Sequence, residues 1–128
     1  MEGIEELDRE SFEEVITRCE ELVIVEFYTN SCPNCRAMGP IYAKLANEMG
    51  GKARFCRVNA QVHMELGMLY GVRAVPTFMF FCHKRPIGSL VGGVNETVLR
   101  NTIVDHAQHR QVCVTGSSPL SYDMTGYM

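Results

Sequence analysis

The sequence predicts one α/β domain of three layers, in which helices cover both faces of a mixed β-sheet of four or five strands. Two observations lead to this class. Segments with a helical spacing of apolar residues alternate with short β-branched and aromatic segments, as in parallel strands joined by helical crossovers. The last two strand-like segments follow each other directly, which indicates an antiparallel hairpin. The predicted order is α-β-α-β-α-β-β-α.

The four predicted helices carry apolar side chains at intervals of three and four residues, which places these side chains on one side of each helix. Asp8 or Ser11 can cap the first helix. Pro40 lies inside the second helix and is expected to kink it. The predicted ranges are 11–20, 33–49, 62–70 and 95–108.

The four predicted strands are rich in β-branched and aromatic residues. They cover residues 22–28, 53–59, 77–82 and 87–91, with a hairpin loop at 83–86. The first strand reads LVIVEFY and is almost wholly apolar, so we expect it to be buried on both faces. After residue 109 the periodicity ends and Gly, Ser, Thr and Pro accumulate. We therefore interpret 1–109 as the folded domain and 110–128 as a flexible tail.

Composition and charge narrow the functional classes. The chain has 128 residues, of which 46% are hydrophobic and 21% are charged, an ordinary globular composition. Its formal charge is -3 without a basic block, which argues against a nucleic-acid partner. No apolar run approaches the roughly 20 residues that span a bilayer, and the acidic start lacks the basic and apolar regions of a signal peptide. We expect a cytoplasmic monomer with neither a membrane nor a nucleic-acid partner.

Only two of the six cysteines, Cys32 and Cys35, lie close together in the sequence. The segment Cys32-Pro33-Asn34-Cys35 stands between a predicted buried strand and a helix. Unpaired backbone N–H groups and the macrodipole at a helix start favour an anion, so we expect Cys32 to react as a thiolate. Cys35 lies about one helical turn further on and faces the same way, so the pair can form a disulfide. The pattern predicts a dithiol switch, with Cys32 as the exposed nucleophile and Cys35 as the sheltered resolving thiol.

In this and other segments the chain resembles the thioredoxin family. The matching segments keep the family's order and spacing: 25–28 (VEFY), 32–35 (CPNC), 38–40 (MGP), 57–59 (RVN), 70–77 (YGVRAVPT) and 91–93 (VGG). The resemblance covers residues 11–109. It implies the thioredoxin-like fold, a cis peptide bond before Pro76 and thiol–disulfide exchange. The family's N-terminal strand is absent from this chain or reduced to residues 3–7.

Glu26 is the candidate proton carrier. Because alternate residues of a strand share a face, Glu26 points with Leu22 and Ile24 into apolar surroundings, where burial raises the pKa of an unpaired carboxyl. Near Cys35, such an acid can take and return the thiol's proton during exchange. The family usually has the shorter Asp at this position. Arg57, on the neighbouring strand, matches a family lysine and can instead pair with Glu26 and keep it ionised. Both roles stay open.

The resemblance also implies a substrate-binding surface. In the family, the backbone before the proline that corresponds to Pro76 pairs with the substrate backbone beside the reacting cysteine. The residues assigned to this surface are Ser31, Pro33, Asn34, Val75, Pro76 and Gly92, with Arg57 and Pro40 in supporting positions. Ser31 and Tyr28 replace two family tryptophans, so we expect the surface to be smaller and more polar.

These residues predict a protein-disulfide reductase that uses a reversible Cys32–Cys35 disulfide. The dipeptide Pro33-Asn34 replaces the family's usual Gly-Pro. It contains no histidine, the residue whose positive charge stabilises the thiolate in oxidising members of the family. The expected partners are disulfide-containing proteins and an electron-donating reductase, and no cofactor is expected. Two alternatives stay open: the same chemistry run as an oxidase or isomerase, and a binding module whose thiols are inert or hold a metal.

The remaining cysteines do not suggest a second reactive site. A closed zinc site needs four ligands, and the chain has no second CxxC motif, so we expect no metal. Cys19, Cys56 and Cys82 lie in apolar segments and are interpreted as small core residues. Cys113, in the predicted tail, is interpreted as an inert thiol, and a regulatory thiol is the alternative.

Overall fold

A computed structural model describes residues 3–108 and has one five-stranded sheet with helices on both faces. The elements are β1 (Ile4–Glu6), α1 (Arg9–Arg18), β2 (Leu22–Tyr28), α2 (Pro33–Met49), β3 (Ala53–Asn59), α3 (Met64–Leu69), β4 (Thr77–Cys82), β5 (Arg85–Val91) and α4 (Glu96–Gln108). The strand order is β1-β3-β2-β4-β5, with β1, β3 and β2 parallel and β4 antiparallel to both neighbours. The predicted three-layer α/β class is therefore confirmed. The predicted tail, 110–128, lies outside the described residues.

Strand β2 forms the centre of the molecule, and all seven of its residues are buried. Its side chains alternate between two apolar clusters. Leu22 and Ile24 pack in the cluster that contains α2 and α4 residues, whereas Val23, Val25 and Phe27 pack in the cluster that contains α1 and α3 residues. The near-continuous apolar run in the sequence thus reflects burial on both faces of the sheet.

A short N-terminal strand makes the sheet five-stranded. β1 pairs in parallel with β3, and this pairing places Glu6 opposite Arg57. The sequence left this strand open because its three residues include only one buried side chain, that of Ile4, which is too little for a periodicity. The edge that β1 adds to the sheet supplies one of the charged groups of the site described below.

Helices α1 and α3 each begin two residues away from the predicted start, because polar side chains fix the local turns. Helix α1 begins two residues early: Asp8 Oδ1 accepts a 2.8 Å hydrogen bond from the Ser11 backbone N–H, and Ser11 Oγ accepts one of 2.9 Å from the Asp8 N–H. Helix α3 begins late because Asn59 Oδ1 accepts hydrogen bonds from the backbone N–H groups of Gln61 and Val62, which places both residues in a turn.

The β4–β5 hairpin is tighter than the sequence suggests. Its turn contains only His83 and Lys84, whose φ angles of 49° and 74° are both positive, as in the turns that match the twist of a hairpin. Arg85 and Pro86, predicted as loop, instead belong to β5. Pro86 fits there because β5 is an edge strand and the ladder has an irregularity beside it, at Phe80 and Phe81.

Helix α2 joins the site to the core. It continues through Pro40 as one helix, so the proline does not end it. The hydroxyl of Tyr42 lies 2.7 Å from the carbonyl oxygen of Cys56 on β3 and 3.1 Å from that of Ile24 on β2. This buried hydroxyl therefore fixes α2 against the two strands that carry the charged part of the site. No helix within residues 3–108 combines the length and hydropathy needed to cross a membrane.

We predict that Tyr42→Phe lowers the free energy of unfolding by about 1 kcal/mol, because a hydrogen bond to a buried carbonyl is lost while the ring remains. Urea unfolding measures the change. The matched control is Tyr70→Phe. The Tyr70 ring packs on Phe12 and Phe81, and its hydroxyl has no hydrogen-bond partner within residues 3–108. Equal effects of the two substitutions would contradict the role of the Tyr42 hydroxyl.

Candidate active site

The two cysteines of the CPNC segment lie at the start of α2. Cys32 is the N-cap residue, and Pro33 occupies the first helical turn, where a proline costs no hydrogen bond. The Sγ of Cys32 accepts a 3.1 Å hydrogen bond from the backbone N–H of Cys35. A sulfur in the N-cap position receives the hydrogen bond that an N-cap oxygen usually accepts, and this stabilises a thiolate. The local sequence therefore gives Cys32 the environment of an activated nucleophile.

Cys32 is less exposed than the sequence suggests. It is 8% exposed and Cys35 is 7% exposed, so the predicted contrast between an exposed and a sheltered thiol is wrong for this structure. Both sulfur-bearing side chains pack in one small cluster with Tyr28 and Val75. This difference arises because the loop before Pro76 comes from a distant part of the sequence and covers Cys32.

The loop before β4 approaches Cys32 directly. The Val75–Pro76 peptide bond is cis, and the Cys32 thiol lies 3.6 Å from the Val75 carbonyl oxygen, within reach of a weak S–H···O hydrogen bond. The carbonyl of Pro76 accepts a 2.8 Å hydrogen bond from the backbone N–H of Gly92, whose φ of +90° favours glycine. The structure thus brings Val75, Pro76 and Gly92 to the side of Cys32.

The remaining predicted surface residues surround the same point. Ser31, Pro33 and Asn34 are exposed. A Cβ atom on Gly93 would lie 3.6 Å from the Asn34 side chain, so the glycine loop after β5 borders the CPNC segment. Pro40 lies five residues after Cys35 in α2. It lines the cleft that leads to Glu26 and not the surface beside Cys32.

Glu26 is buried beneath this surface. Its side chain is 3% exposed, and its Oε2 accepts no hydrogen bond from any residue within 3–108. Burial raises the pKa of Glu26 to about 7, although the positive charge of Arg57 acts in the opposite direction. Glu26 and Cys35 both line an open cleft of about 420 Å³, which connects the carboxyl with solvent. The carboxyl therefore has both an ionisation range near neutral pH and a path for protons.

Cys35 is suited to remain protonated until it reacts. Burial, followed by its hydrogen bond with Cys32, raises the pKa of Cys35 well above the ordinary value, and the charge of Glu26 acts in the same direction. A thiol with a raised pKa needs a base to become a nucleophile. Glu26 is the buried carboxyl that faces this cleft, so the two residues form a candidate acid–base pair.

The structure does not show the ion pair between Glu26 and Arg57 that the sequence left open. Arg57 lies opposite Glu26 on β2 and opposite Glu6 on β1. Among ion pairs within residues 3–108, Arg57 Nε lies 3.3 Å from Glu6 Oε1, and none joins Arg57 to Glu26. The guanidinium carbon also lies 3.8 Å from the centre of the Tyr28 ring. Arg57 therefore acts on Glu26 through its charge, which lowers the pKa of the carboxyl.

Glu6 was missed by the sequence reasoning, and Tyr28 was noted only as a replacement for a tryptophan. The Tyr28 hydroxyl donates a 2.8 Å hydrogen bond to Glu6 Oε2, which links the two to Arg57. A signal for Glu6 would have required the β1–β3 register, which no local pattern in the sequence supplies. Tyr28, in contrast, follows Glu26 by two residues, so strand alternation alone places it on the same face.

The other cysteines within the described residues lie away from this site. Cys56 is fully buried, and burial raises the pKa of its thiol to about 12. Cys19 is half-buried against the same core cluster, and Cys82 is 1% exposed and disulfide-bonded rather than a free core thiol. Cys113 lies outside the described residues. Within residues 3–108, no group of three or more His, Cys, Asp or Glu side chains is arranged to hold a metal ion.

We predict that Glu26→Gln stabilises the protein more at pH 8.5 than at pH 5. The pKa of Glu26 is raised from 4.5 to about 7 in the folded protein, so the contribution of Glu26 to stability falls as the pH increases from about 4.5 to 7 and stays constant above that range. At about 1.4 kcal/mol per pKa unit, the difference between the two pH values is about 2 kcal/mol. Urea unfolding of both proteins at each pH measures it, and an equal stabilisation at both values would contradict a raised pKa.

Comparison with known proteins places the chain in one family. A family model described as Thioredoxin matches residues 3–105. The chain is 39% identical over 85 residues to peptide-N(4)-(N-acetyl-beta-glucosaminyl)asparagine amidase of Caenorhabditis briggsae, covering 66% of this chain and 14% of that protein. It is 33% identical over 98 residues to the chloroplastic M-type thioredoxin of Triticum aestivum, covering 77% of this chain and 55% of that protein. The chain thus spans less than two thirds of the length of these relatives.

Solved structures agree with this assignment. The thioredoxin of Malassezia sympodialis superposes with a TM-score of 0.75 at 25% sequence identity, covering 81% of this chain and 90% of that one. The thioredoxin of Plasmodium falciparum, at 23% identity, shares the fold with a TM-score of 0.74 and covers 80% of this chain and 98% of that one. From the family match over residues 3–105 and the shared fold, we conclude that the chain belongs to the thioredoxin family.

Proposed function

We propose that this protein is a thiol–disulfide oxidoreductase that reduces protein disulfides through Cys32 and Cys35. The observation that carries the proposal is the hydrogen bond of 3.1 Å from the Cys35 backbone N–H to the Cys32 sulfur at the start of α2. It supports Cys32 as the nucleophile, beside a Cys35 thiol whose pKa is raised by burial. Membership of the thioredoxin family supports the same chemistry.

The proposed reaction has two displacement steps. First, the Cys32 thiolate attacks one sulfur of a substrate disulfide, which forms a mixed disulfide and releases the other substrate sulfur as a thiolate. Second, Cys35 gives its proton to the Glu26 carboxylate and attacks the Cys32 sulfur, and the substrate leaves with both sulfurs reduced. The two electrons come from the protein dithiol, which ends as the Cys32–Cys35 disulfide.

The buried carboxyl fits the second step by its ionisation range. A base is most effective when its pKa lies near the working pH, and burial raises the pKa of Glu26 to about 7. Because Cys35 has a raised pKa, it loses its proton readily only when a base lies nearby. The cleft shared by Glu26 and Cys35 then lets the carboxyl return the proton to solvent.

The substrate is proposed to bind where the loops around Cys32 converge. The cis Val75–Pro76 segment lies beside the Cys32 sulfur, and Gly92 is hydrogen-bonded to Pro76. An extended substrate segment can pair with the backbone of this loop through a few main-chain hydrogen bonds. The exposed residues Ser31, Pro33 and Asn34 then form a polar border.

The proposal also covers the direction of the reaction, the partners of the protein and the compartment in which it acts. No histidine stands between the cysteines to stabilise a thiolate strongly, which favours a reducing couple over an oxidising one. A reductase must be recharged, so its partners are disulfide-containing proteins and an electron-donating reductase. It would act as a monomer in a reducing compartment such as the cytoplasm.

We predict that Cys32→Ser abolishes reduction of insulin disulfides with dithiothreitol as the electron source, because no nucleophile remains. Cys35→Ser should instead accumulate a covalent protein–substrate adduct, because the mixed disulfide has no resolving thiol. Non-reducing electrophoresis and mass spectrometry detect this adduct. Cys19→Ser is the matched control, since Cys19 is a free, half-buried thiol at the end of α1, and it should leave turnover unchanged.

Two results would contradict the proposal. Full turnover by Cys32→Ser, or no adduct with Cys35→Ser, would remove the assigned roles of the two thiols. Metal analysis of anaerobically purified wild-type protein tests the binding-module alternative, because about one zinc or iron per chain or per dimer would mean that the thiols hold a metal.

A further inference from the structure

A row of charged side chains crosses three adjacent strands under the cysteines. The strand pairings place Glu6, Arg57 and Glu26 directly opposite one another on β1, β3 and β2. Arg57 thus has a carboxyl on each side. Residues paired directly across a parallel sheet point to the same face, so both carboxyls compete for one guanidinium.

We propose that Glu6 and Tyr28 are positioning residues that hold the Arg57 guanidinium on the outer side of this row, so that Glu26 is left able to carry a proton for Cys35. The inference rests on the proposed disulfide exchange and assigns it two residues beyond the cysteines, the buried carboxyl and the substrate loops. Glu6 lies outside the cluster of the two cysteines, and Tyr28 packs beside them but takes no part in the proposed displacement steps.

Three contacts support this arrangement. Arg57 Nε lies 3.3 Å from Glu6 Oε1, an ion pair without the geometry of a hydrogen bond, and the Tyr28 hydroxyl donates a 2.8 Å hydrogen bond to Glu6 Oε2. The Arg57 guanidinium also stacks 3.8 Å from the centre of the Tyr28 ring. Tyr28 therefore acts on both members of the pair: its ring supports the arginine, and its hydroxyl orients the carboxylate.

The two carboxyl groups beside Arg57 differ in their exposure to solvent, and this difference decides which of them can accept a proton. Glu6 is exposed, so its charge is solvated and costs little, whereas Glu26 is buried and its Oε2 accepts no hydrogen bond from residues 3–108. A cation that paired directly with Glu26 would keep it ionised and make it a poor proton acceptor. Competition from Glu6 prevents that pairing, while the nearby positive charge still limits the cost of ionising Glu26.

The groups that face Glu26 come from four elements. Burial makes the largest contribution and raises the pKa of Glu26. Arg57, on β3, lowers this pKa, and Glu6, on β1, raises it. α2 contributes the thiol of Cys35 and the hydroxyl of Tyr42, and both have raised pKa values and are uncharged near neutral pH. Tyr28, on β2 itself, is likewise protonated, because burial raises its pKa. Among the charged groups of residues 3–108, Arg57 lowers and Glu6 raises the pKa of Glu26.

The test is a pH titration of the Glu26 carboxyl carbon by NMR in the reduced protein, with Glu26→Gln to assign the resonance. In Glu6→Gln the Glu26 pKa should fall by about one unit or more, because the charge of Arg57 then acts on Glu26 without competition from Glu6, and an opposite charge within about 4–6 Å lowers a carboxyl pKa by roughly 1–3 units. Tyr28→Phe, which keeps the ring and loses only the hydroxyl, should give a smaller fall. Glu5→Gln is the matched control: Glu5 pairs with Arg54 instead, so Glu26 should titrate as in the wild-type protein.

A double-mutant cycle separates positioning from simple repulsion between the two carboxylates. If Glu6 acts through Arg57, Glu6→Gln should have a much smaller effect in an Arg57→Gln background than in the wild-type background. Equal effects in the two backgrounds, or an unchanged Glu26 pKa in both Glu6→Gln and Tyr28→Phe, would overturn the proposal.

A kinetic readout links the titration to the reaction. The pH at which Cys35 resolves a preformed Cys32 mixed disulfide at half its maximal rate should shift downward in Glu6→Gln together with the Glu26 pKa. Because the NMR titration needs no turnover, a flat titration in a protein whose Cys35→Ser variant traps substrate overturns this inference alone. A shifted titration in a protein that traps no substrate overturns the reductase function on which it rests.

Discussion

The buried carboxyl of Glu26 is the constraint on which the site depends. A carboxyl in the central strand of a sheet has little water to stabilise its charge, and its pKa rises to about 7 for that reason. A group that costs stability when ionised is otherwise hard to explain in a strand where every other residue packs in one of the three apolar clusters. Its position beneath Cys35 gives it a use that offsets the cost.

The fold places the other components around this carboxyl. The start of α2 provides the backbone N–H group that meets the Cys32 sulfur, and the loop before β4 brings the Val75 carbonyl to the other side of that sulfur. The row across β1, β3 and β2 sets the charge around Glu26. Each component comes from a different element, so the chemistry depends on the sheet register as much as on the CPNC segment.

Local patterns predicted much of this arrangement, and long-range pairing explains what they missed. The range of β2, the range of α2 and the burial of Glu26 followed from periodicity within single segments. β1 was left open, and Glu6 overlooked, because a three-residue strand shows no period and its register with β3 is a contact between distant residues. The low exposure of Cys32 was missed for the same reason, since Val75 lies far from it in the sequence.

The reduction potential of the Cys32–Cys35 couple tests the reductase account most directly. The protein would be equilibrated in graded thiol–disulfide buffers, its free thiols trapped by alkylation, and the two states counted by mass. The account predicts a couple more reducing than the glutathione pool, whose potential is about −220 to −260 mV by extraction, and about 30 mV corresponds to a tenfold change in the equilibrium. A clearly more oxidising couple, or no Cys32–Cys35 disulfide in any buffer, would contradict it.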